Sequence, residues 1–232
     1  MKSRLHDYRQ IEQSGFTPKR STIDRILTLN MIYQQRREFN QPLWVAYVDL
    51  KAAFDSVDRT ALWQLLLSVG LPHRMVELFK ALYTDTVSCV RADGCESEWF
   101  PVNSGVRQGC VVAPDTFLVP MDWLLERTVH RGMVGTSVGK AIFTDLDFAD
   151  DVALLAEMLS VLVLALEVMN EEAQPLGLTI NWAKTKIQTT DVTVPHGSTV
   201  QVGGSNVEVV DTFCFTHWTP FIAHLIRVDL PF

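Results

Sequence analysis

The spacing of hydrophobic and polar positions changes several times along the chain, and each change marks an element. Ser21-Thr22 precede apolar residues at Ile23, Ile26, Leu27, Leu29 and Ile32, so a capped helix is predicted to run to about Arg37, where Asn40-Gln41-Pro42 breaks it. Leu43 to Leu50 is almost continuously apolar, interrupted only by Asp49 near its end, which is the pattern of a strand buried on both faces. Asp58 then caps a helical stretch from Arg59 to Val69, closed by Gly70, and Pro72 opens another to about Tyr83. Thr86 to Ala92 and Cys95 to Val102 flank Asp93-Gly94, a dipeptide that accepts positive φ at both positions and so predicts a hairpin.

The second half follows the same logic. Asp115 to His130 reads as a helix ended by Gly132 and Gly135. Ala141 to Phe148 and Val152 to Ala156 read as two short apolar strands, which places Asp150-Asp151 in the tight turn between them. Ser160 to Gln174 is helical and stops at Pro175-Leu176-Gly177, and Thr199 to Val202 and Val207 to Val210 frame a last hairpin at Gly203-Gly204-Ser205. Strands and helices mixed in this order predict an α+β fold: a mostly antiparallel sheet with helices packed on one face and the other open to a ligand.

Composition narrows the class. At 232 residues, with 47% hydrophobic and 20% charged residues, the chain can bury a sizeable core. Its start is too polar for a signal peptide, and its longest uncharged apolar run, Met158 to Leu166, is too short to span a bilayer, so an intracellular protein is expected, in nucleus or cytoplasm. Cys89, Cys95, Cys110 and Cys214 form no C-x-x-C pair, and the thiols are expected as small buried groups in a reducing compartment. The net charge of −7 argues against a nucleic-acid partner until its distribution is considered. Residues 1–38 carry eight Lys or Arg against four acids, a head of +4 on a body of −11. That suits a phosphate-contacting element beside a metal centre, or simply a solvated helix face.

Three carboxylates are placed where chemistry is possible. Asp49 leaves one apolar strand, and Asp150-Asp151 turn between two others. An aspartate site without His or Cys favours Mg²⁺, with Mn²⁺ as the alternative, over zinc. Ordinary readings exist for each: a helix cap at Asp49, turn chemistry at Asp150-Asp151. Phe54, five residues after Asp49, falls where a ring could close over a sugar or simply join the core. Gly105 and Gly109 bracket Arg107 and Gln108 in a loop that lets backbone N–H groups approach phosphate or base. Lys184 and Lys186 are either movable cations for a triphosphate or surface lysines.

Taken together, the motifs resemble the reverse transcriptase domain of non-LTR, LINE-type retrotransposons, from about Gln13 to Phe215. Gln13 to Asp24 looks like the family's fingers motif, Tyr47 to Asp55 its motif A, Gly105 to Phe117 motif B, Phe148 to Leu155 motif C and Gly177 to Lys186 motif D. The resemblance implies a right-hand polymerase palm: partial fingers at 1–42, a palm at 43–190 containing a fingers-derived segment at about 59–104, the start of a primer-grip hairpin at 191–215 and a divergent tail at 216–232. It implies that Asp49, Asp150 and Asp151 hold Mg²⁺ (or Mn²⁺) and that Lys184 assists pyrophosphate departure. Leu50 and Phe54 would bind the nucleotide, Phe54 as the gate against a ribose 2′-OH. Gln108 and Gly109 would lie beside the nucleotide and the template base, and Lys19, Arg20 and Arg107 would contact nucleic acid. The partners implied are an RNA template, a DNA primer and deoxynucleoside triphosphates, with neither a membrane nor an obligate protein partner.

Two departures from the pattern carry an alternative. Asp115-Thr116 replace apolar residues of motif B, which is expected to loosen the helix behind the nucleotide site. Thr216-His217-Trp218 replace the expected leucine and glycine of the primer grip, and the fingers begin and the thumb ends outside the pattern, so the chain reads as truncated at both ends with the thumb missing. The alternative is therefore a degenerate, non-processive fragment that keeps the palm fold and binds nucleic acid weakly.

Overall fold

Leu43 to Val48 runs through the middle of the molecule because every residue along it is buried. In the computed structural model, which describes Leu5, residues 8–195 and residues 197–213, this segment forms strand β1 (Trp44–Val48). Ahead of it lies helix α1 (Thr22–Glu38), whose N-terminus is closed by the predicted cap as a capping box: Asp24 N–H donates to the Ser21 hydroxyl, and Ser21 N–H donates to the Asp24 carboxylate. After β1 come α2 (Ala53–Ser56), α3 (Arg59–Ser68) and α4 (His73–Tyr83). Two short pairs follow, β2 (Val87–Ser88) with β5 (Phe100–Pro101) and β3 (Arg91–Ala92) with β4 (Cys95–Glu96). Asp93 and Gly94 turn between β3 and β4 at φ 50 and 78, as the dipeptide predicted.

The remaining elements are α5 (Ala113–Gly132), β6 (Thr136–Val138), β7 (Ala141–Phe143), β8 (Asp145–Phe148), β9 (Asp151–Ala156), α6 (Leu159–Ala173), β10 (Lys186–Thr189), β11 (Thr199–Val202) and β12 (Ser205–Val209). The main sheet has the order β11-β12-β10-β1-β9-β8, and only the β10–β12 contact is parallel. It is thus the mostly antiparallel sheet the pattern called for. Trp44, Ala46 and Val48 of β1, with Val152 and Leu154 of β9, face a core completed by Phe117, Met121 and Leu124 of α5 and Leu162, Leu166 and Met169 of α6. The opposite face, expected to be open, is partly covered: Val45, Tyr47, Ala153 and Leu155 pack with Leu29, Ile32 and Tyr33 of α1.

Local expectations differ in instructive places. The predicted strand from Ala141 to Phe148 is divided at Thr144, because β7 leaves the main sheet to pair with β6 while β8 stays beside β9. Gly132 is the last helical residue of α5 rather than its left-handed stop. An added Cβ there would lie 2.8 Å from both Cα and Cβ of Ala165, so the glycine lets α5 and α6 approach, and Met133, at φ 52, makes the turn. The cysteines are not buried: Cys95 and Cys110 are exposed and Cys89 half-buried, since they lie on the hairpin arm and the following loop. Cys214 and the divergent tail at 216–232 lie outside the described residues. Among the described residues no helix is long and apolar enough to cross a membrane.

Candidate active site

β1 ends at Val48, paired with Val152 of β9. One residue further on, Asp49 and Asp151 stand at the same end of adjacent strands. Past Asp49 the chain pairs with the segment after Gly177: Lys51 N–H donates to Thr179 O (2.9 Å), and Asn181 N–H to Asp49 O (2.8 Å). A turn from Asn181, closed by Lys184 N–H on Asn181 O (3.0 Å), then brings Lys184 to the same end. Asp150 belongs, as expected, to the two-residue turn between Phe148 and Asp151, whereas Asp151, expected in that turn too, is the first residue of β9 and pairs with Phe148. These groups share a cavity of about 200 Å³ lined by Asp49, Leu50, Ala52, Ala53, Phe54, Gln108, Asp150, Asp151 and Lys184.

Phe54 packs against the core and also reaches the cavity. One face of the ring stacks on Phe117 of α5 at 4.0 Å between centroids, Phe16 approaches edge-on at 6.4 Å, and the ring also borders the cavity. The loop carrying Gln108 is fastened to the same turn, with Val106 N–H on Phe54 O (2.7 Å) and Gly105 N–H on Val57 O (2.8 Å). Gly105 is obligatory there, because at φ +75 a Cβ would meet the Asp55 backbone at 2.6 Å. Arg59 secures the loop from behind. Its guanidinium donates to Gly105 O, Ser104 O, Val102 O and Tyr83 O at 2.9–3.2 Å. It also donates to the Thr86 hydroxyl (3.1 Å) and lies over the Tyr83 ring, and no periodicity or spacing marked Arg59, whose partners are mostly backbone carbonyls brought near by folding.

Gly109 and Arg107 lie beside the cavity without lining it; Arg107 is exposed near Tyr83, 5.7 Å from the ring centroid. Lys19 and Arg20 are also exposed, but Arg20 is engaged by the protein: its guanidinium donates to Ile11 O and to Gln13 O. The basic head therefore acts at least partly as internal fastening. Asp115 does not loosen α5. Its carboxylate is buried against the Arg9 guanidinium at 3.2 Å, while the Thr116 hydroxyl donates to Val112 O and Ala113 O, both at 3.1 Å, so both departures from the apolar pattern are satisfied.

Beneath the acidic turn, three further carboxyls are buried where β8 meets α5. Burial, reinforced by the charge of Asp145 and by a carboxyl–carboxylate hydrogen bond with it, holds Asp147 well above the usual carboxylate range. Burial also raises Asp145, and pushes Asp122 up to about 7 against the opposing pull of Arg9. The fold therefore favours the neutral acids. Their contribution is fully present below about pH 4 and is lost as pH rises through the folded pKa, near 7 for Asp122. Asp122→Asn should flatten this decline: in urea unfolding the variant gains on the order of 1–3 kcal/mol over the wild type at pH 8 and much less at pH 5. Equal differences at the two pH values would refute the assignment.

The donor set at the cavity is all carboxylate, which suits a hard octahedral ion that keeps part of its water shell. Among the described residues no three acidic, His or Cys side chains converge closely enough to hold an ion by themselves. Asp49, Asp150 and Asp151 line the cavity with oxygen donors, the class of ligand that a hard divalent ion takes.

Comparison with known proteins agrees with this architecture. The chain is 30% identical over 169 residues to the "Retrovirus-related Pol polyprotein from type-2 retrotransposable element R2DM" of Drosophila melanogaster, covering 73% of this chain and 16% of that protein. It is 27% identical over 173 residues to the polyprotein of a type-1 retrotransposable element R2 of Nasonia vitripennis, covering 75% and 17%. The chain thus spans about a sixth of each. In fold it is similar to telomerase of Candida albicans, solved with a fragment of telomeric RNA (TM-score 0.62, 12% identity, 90% of this chain and 36% of that one), and to apo telomerase of Candida tropicalis (TM-score 0.60, 15% identity, 89% and 42%). The family described as "Reverse transcriptase (RNA-dependent DNA polymerase)" matches residues 1–208, and to that family this chain belongs.

Proposed function

We propose that this chain is the polymerase core of a retrotransposon reverse transcriptase, adding deoxynucleotides to a DNA primer on an RNA template. The observation that carries the reading is the cavity in which Asp49, Asp150 and Asp151 meet Phe54, Gln108 and Lys184. In this reading residues 1–42 serve as fingers and 43–190 as palm. The carboxylates would hold two Mg²⁺ ions, with Mn²⁺ as substitute, and the ions would supply charge stabilisation at the transferring phosphoryl group. Lys184, exposed at the rim, offers its ammonium to the departing pyrophosphate. Leu50 and Gln108 border the nucleotide and Gly109 leaves room for the template base; exposed Lys19 and Arg107 face the nucleic acid, and Arg20 acts through the loop it fastens. The test is primer extension on an RNA template with Mg²⁺ or Mn²⁺, with Asp150→Asn as control. Extension by neither protein, or equally by both, would reject the proposal.

Phe54 supplies the sugar preference. Its ring is held from behind by Phe117, so it cannot swing away from a 2′-OH. Phe54→Ala is expected to reduce discrimination against ribonucleotides by about ten- to a hundredfold, the range typical of pocket contacts. Competing incorporation of ribo- and deoxynucleotides measures it, and an unchanged ratio would move the gate elsewhere.

A further inference from the structure

We propose that Gln13 is the positioning residue of the acidic turn, an inference that rests on the polymerase reading of the cavity. Gln13 is fully buried, and its side-chain amide is spent on a single neighbourhood: Oε1 accepts N–H from Ala149 (2.9 Å) and Gly15 (2.7 Å), and Nε2 donates to Ala149 O (3.3 Å). Ala149 immediately precedes Asp150 and sits at φ +61. That conformation is strained for an alanine, whose Cβ crowds the following carbonyl oxygen, and the first central position of such a turn is ordinarily glycine. An amide gripping both the N–H and the C=O of Ala149 holds the turn in a shape its own sequence does not favour.

The grip is itself anchored. Ser14 N–H donates to Asp147 O (3.0 Å) and Asp147 N–H to Glu12 O (3.3 Å), so residues 12–14 lie along the outer edge of β8. Gly15 makes this approach possible, since a Cβ there would lie 2.3 Å from Ala149 N. From α1, Arg25 Nε donates to the Ser14 hydroxyl at 2.5 Å. A side chain from the head of the chain thus sets the backbone from which Asp150 projects, and only an amide both accepts and donates at the required places.

The test is Gln13→Met, which keeps the volume and removes the hydrogen bonds, read by Mn²⁺ binding in electron paramagnetic resonance and by hydrogen exchange of residues 147–152. The wild type is expected to bind Mn²⁺ in a manner abolished by Asp150→Asn. Gln13→Met is expected to weaken that binding by about ten- to a hundredfold, as loss of a group that orients metal ligands does, and to speed exchange of the turn. Adding Ala149→Gly, which tolerates the same φ unaided, should recover at least half of the loss on a logarithmic scale. The inference is overturned by unchanged affinity in Gln13→Met, by unfolding of both Gln13→Met and the double variant, or by absence of Asp150-dependent Mn²⁺ binding in the wild type. Mn²⁺ binding that responds to Gln13 in a chain that extends no primer would reject the polymerase reading and leave the positioning role intact.

Discussion

Asp150→Asn is expected to lower primer extension on an RNA template by on the order of a thousandfold while the chain stays folded. A carboxylate that helps hold a divalent ion contributes several kcal/mol to charge stabilisation at the phosphoryl group, and each 1.36 kcal/mol is tenfold in rate. Asparagine keeps the shape of the side chain, and Asp150 is half-buried in a turn, so the unfolding free energy should move by less than about 1 kcal/mol. The separation of the two readouts gives the test its force. A fall in extension accompanied by an equal fall in folded fraction would show Asp150 to be structural.

Asp115→Leu is expected to cost about 3–5 kcal/mol of stability, although leucine is what the family pattern favours at this place. The reason is Arg9. Its side chain is 4% exposed, that of Asp115 is 6% exposed, and removing the carboxylate takes away an acceptor 3.2 Å from a buried guanidinium. Arg9 also donates to Phe16 O (3.3 Å) and the Thr17 hydroxyl (3.0 Å), neutral acceptors that contribute less than a charged one. The double variant Arg9→Met with Asp115→Leu should recover most of the loss, because two apolar side chains can replace a buried pair at little cost. Urea unfolding of the three proteins measures this cycle. A single variant within about 1 kcal/mol of the wild type would show that the pair is not energetically coupled. Because α5 also carries Phe117 beneath Phe54, loosening its first turn should reach the cavity as well.

Elements whose causes are local were legible in the chain. A short apolar run of six residues closed by Pro42 and Asp49 reads as a strand buried on both faces, and β1 is one; Asp93-Gly94 and Gly203-Gly204 accept positive φ and make their hairpins. The short turn at Asp150 could be read because apolar strands close to it on both sides, although Asp151, read as part of the turn, begins β9. Seven of the proposed site residues line one cavity, and all but Gln108 lie at or next to the ends of elements. Gln108 reaches it from a loop held by distant groups, while its neighbours Arg107 and Gly109, like Lys19 and Arg20, do not line it.

The sequence by itself therefore determined the strands, most helix ends and the order in which the carboxylates arrive, because hydrophobic period and turn chemistry act over a few residues. Only the tertiary structure decided how these parts are held. Asp145-Leu146-Asp147-Phe148 alternates like a strand with a solvated acidic face, yet α5 covers that face and leaves Asp147 1% exposed. Gly132 looks like a helix stop and is a contact point, because Ala165 of another helix occupies the space its side chain would need. Gln13 and Ala149, 136 residues apart, share an amide clasp that no local pattern encodes. Burial and hydrogen-bond partnership are properties of the assembled chain, and the shape of the acidic turn depends on both.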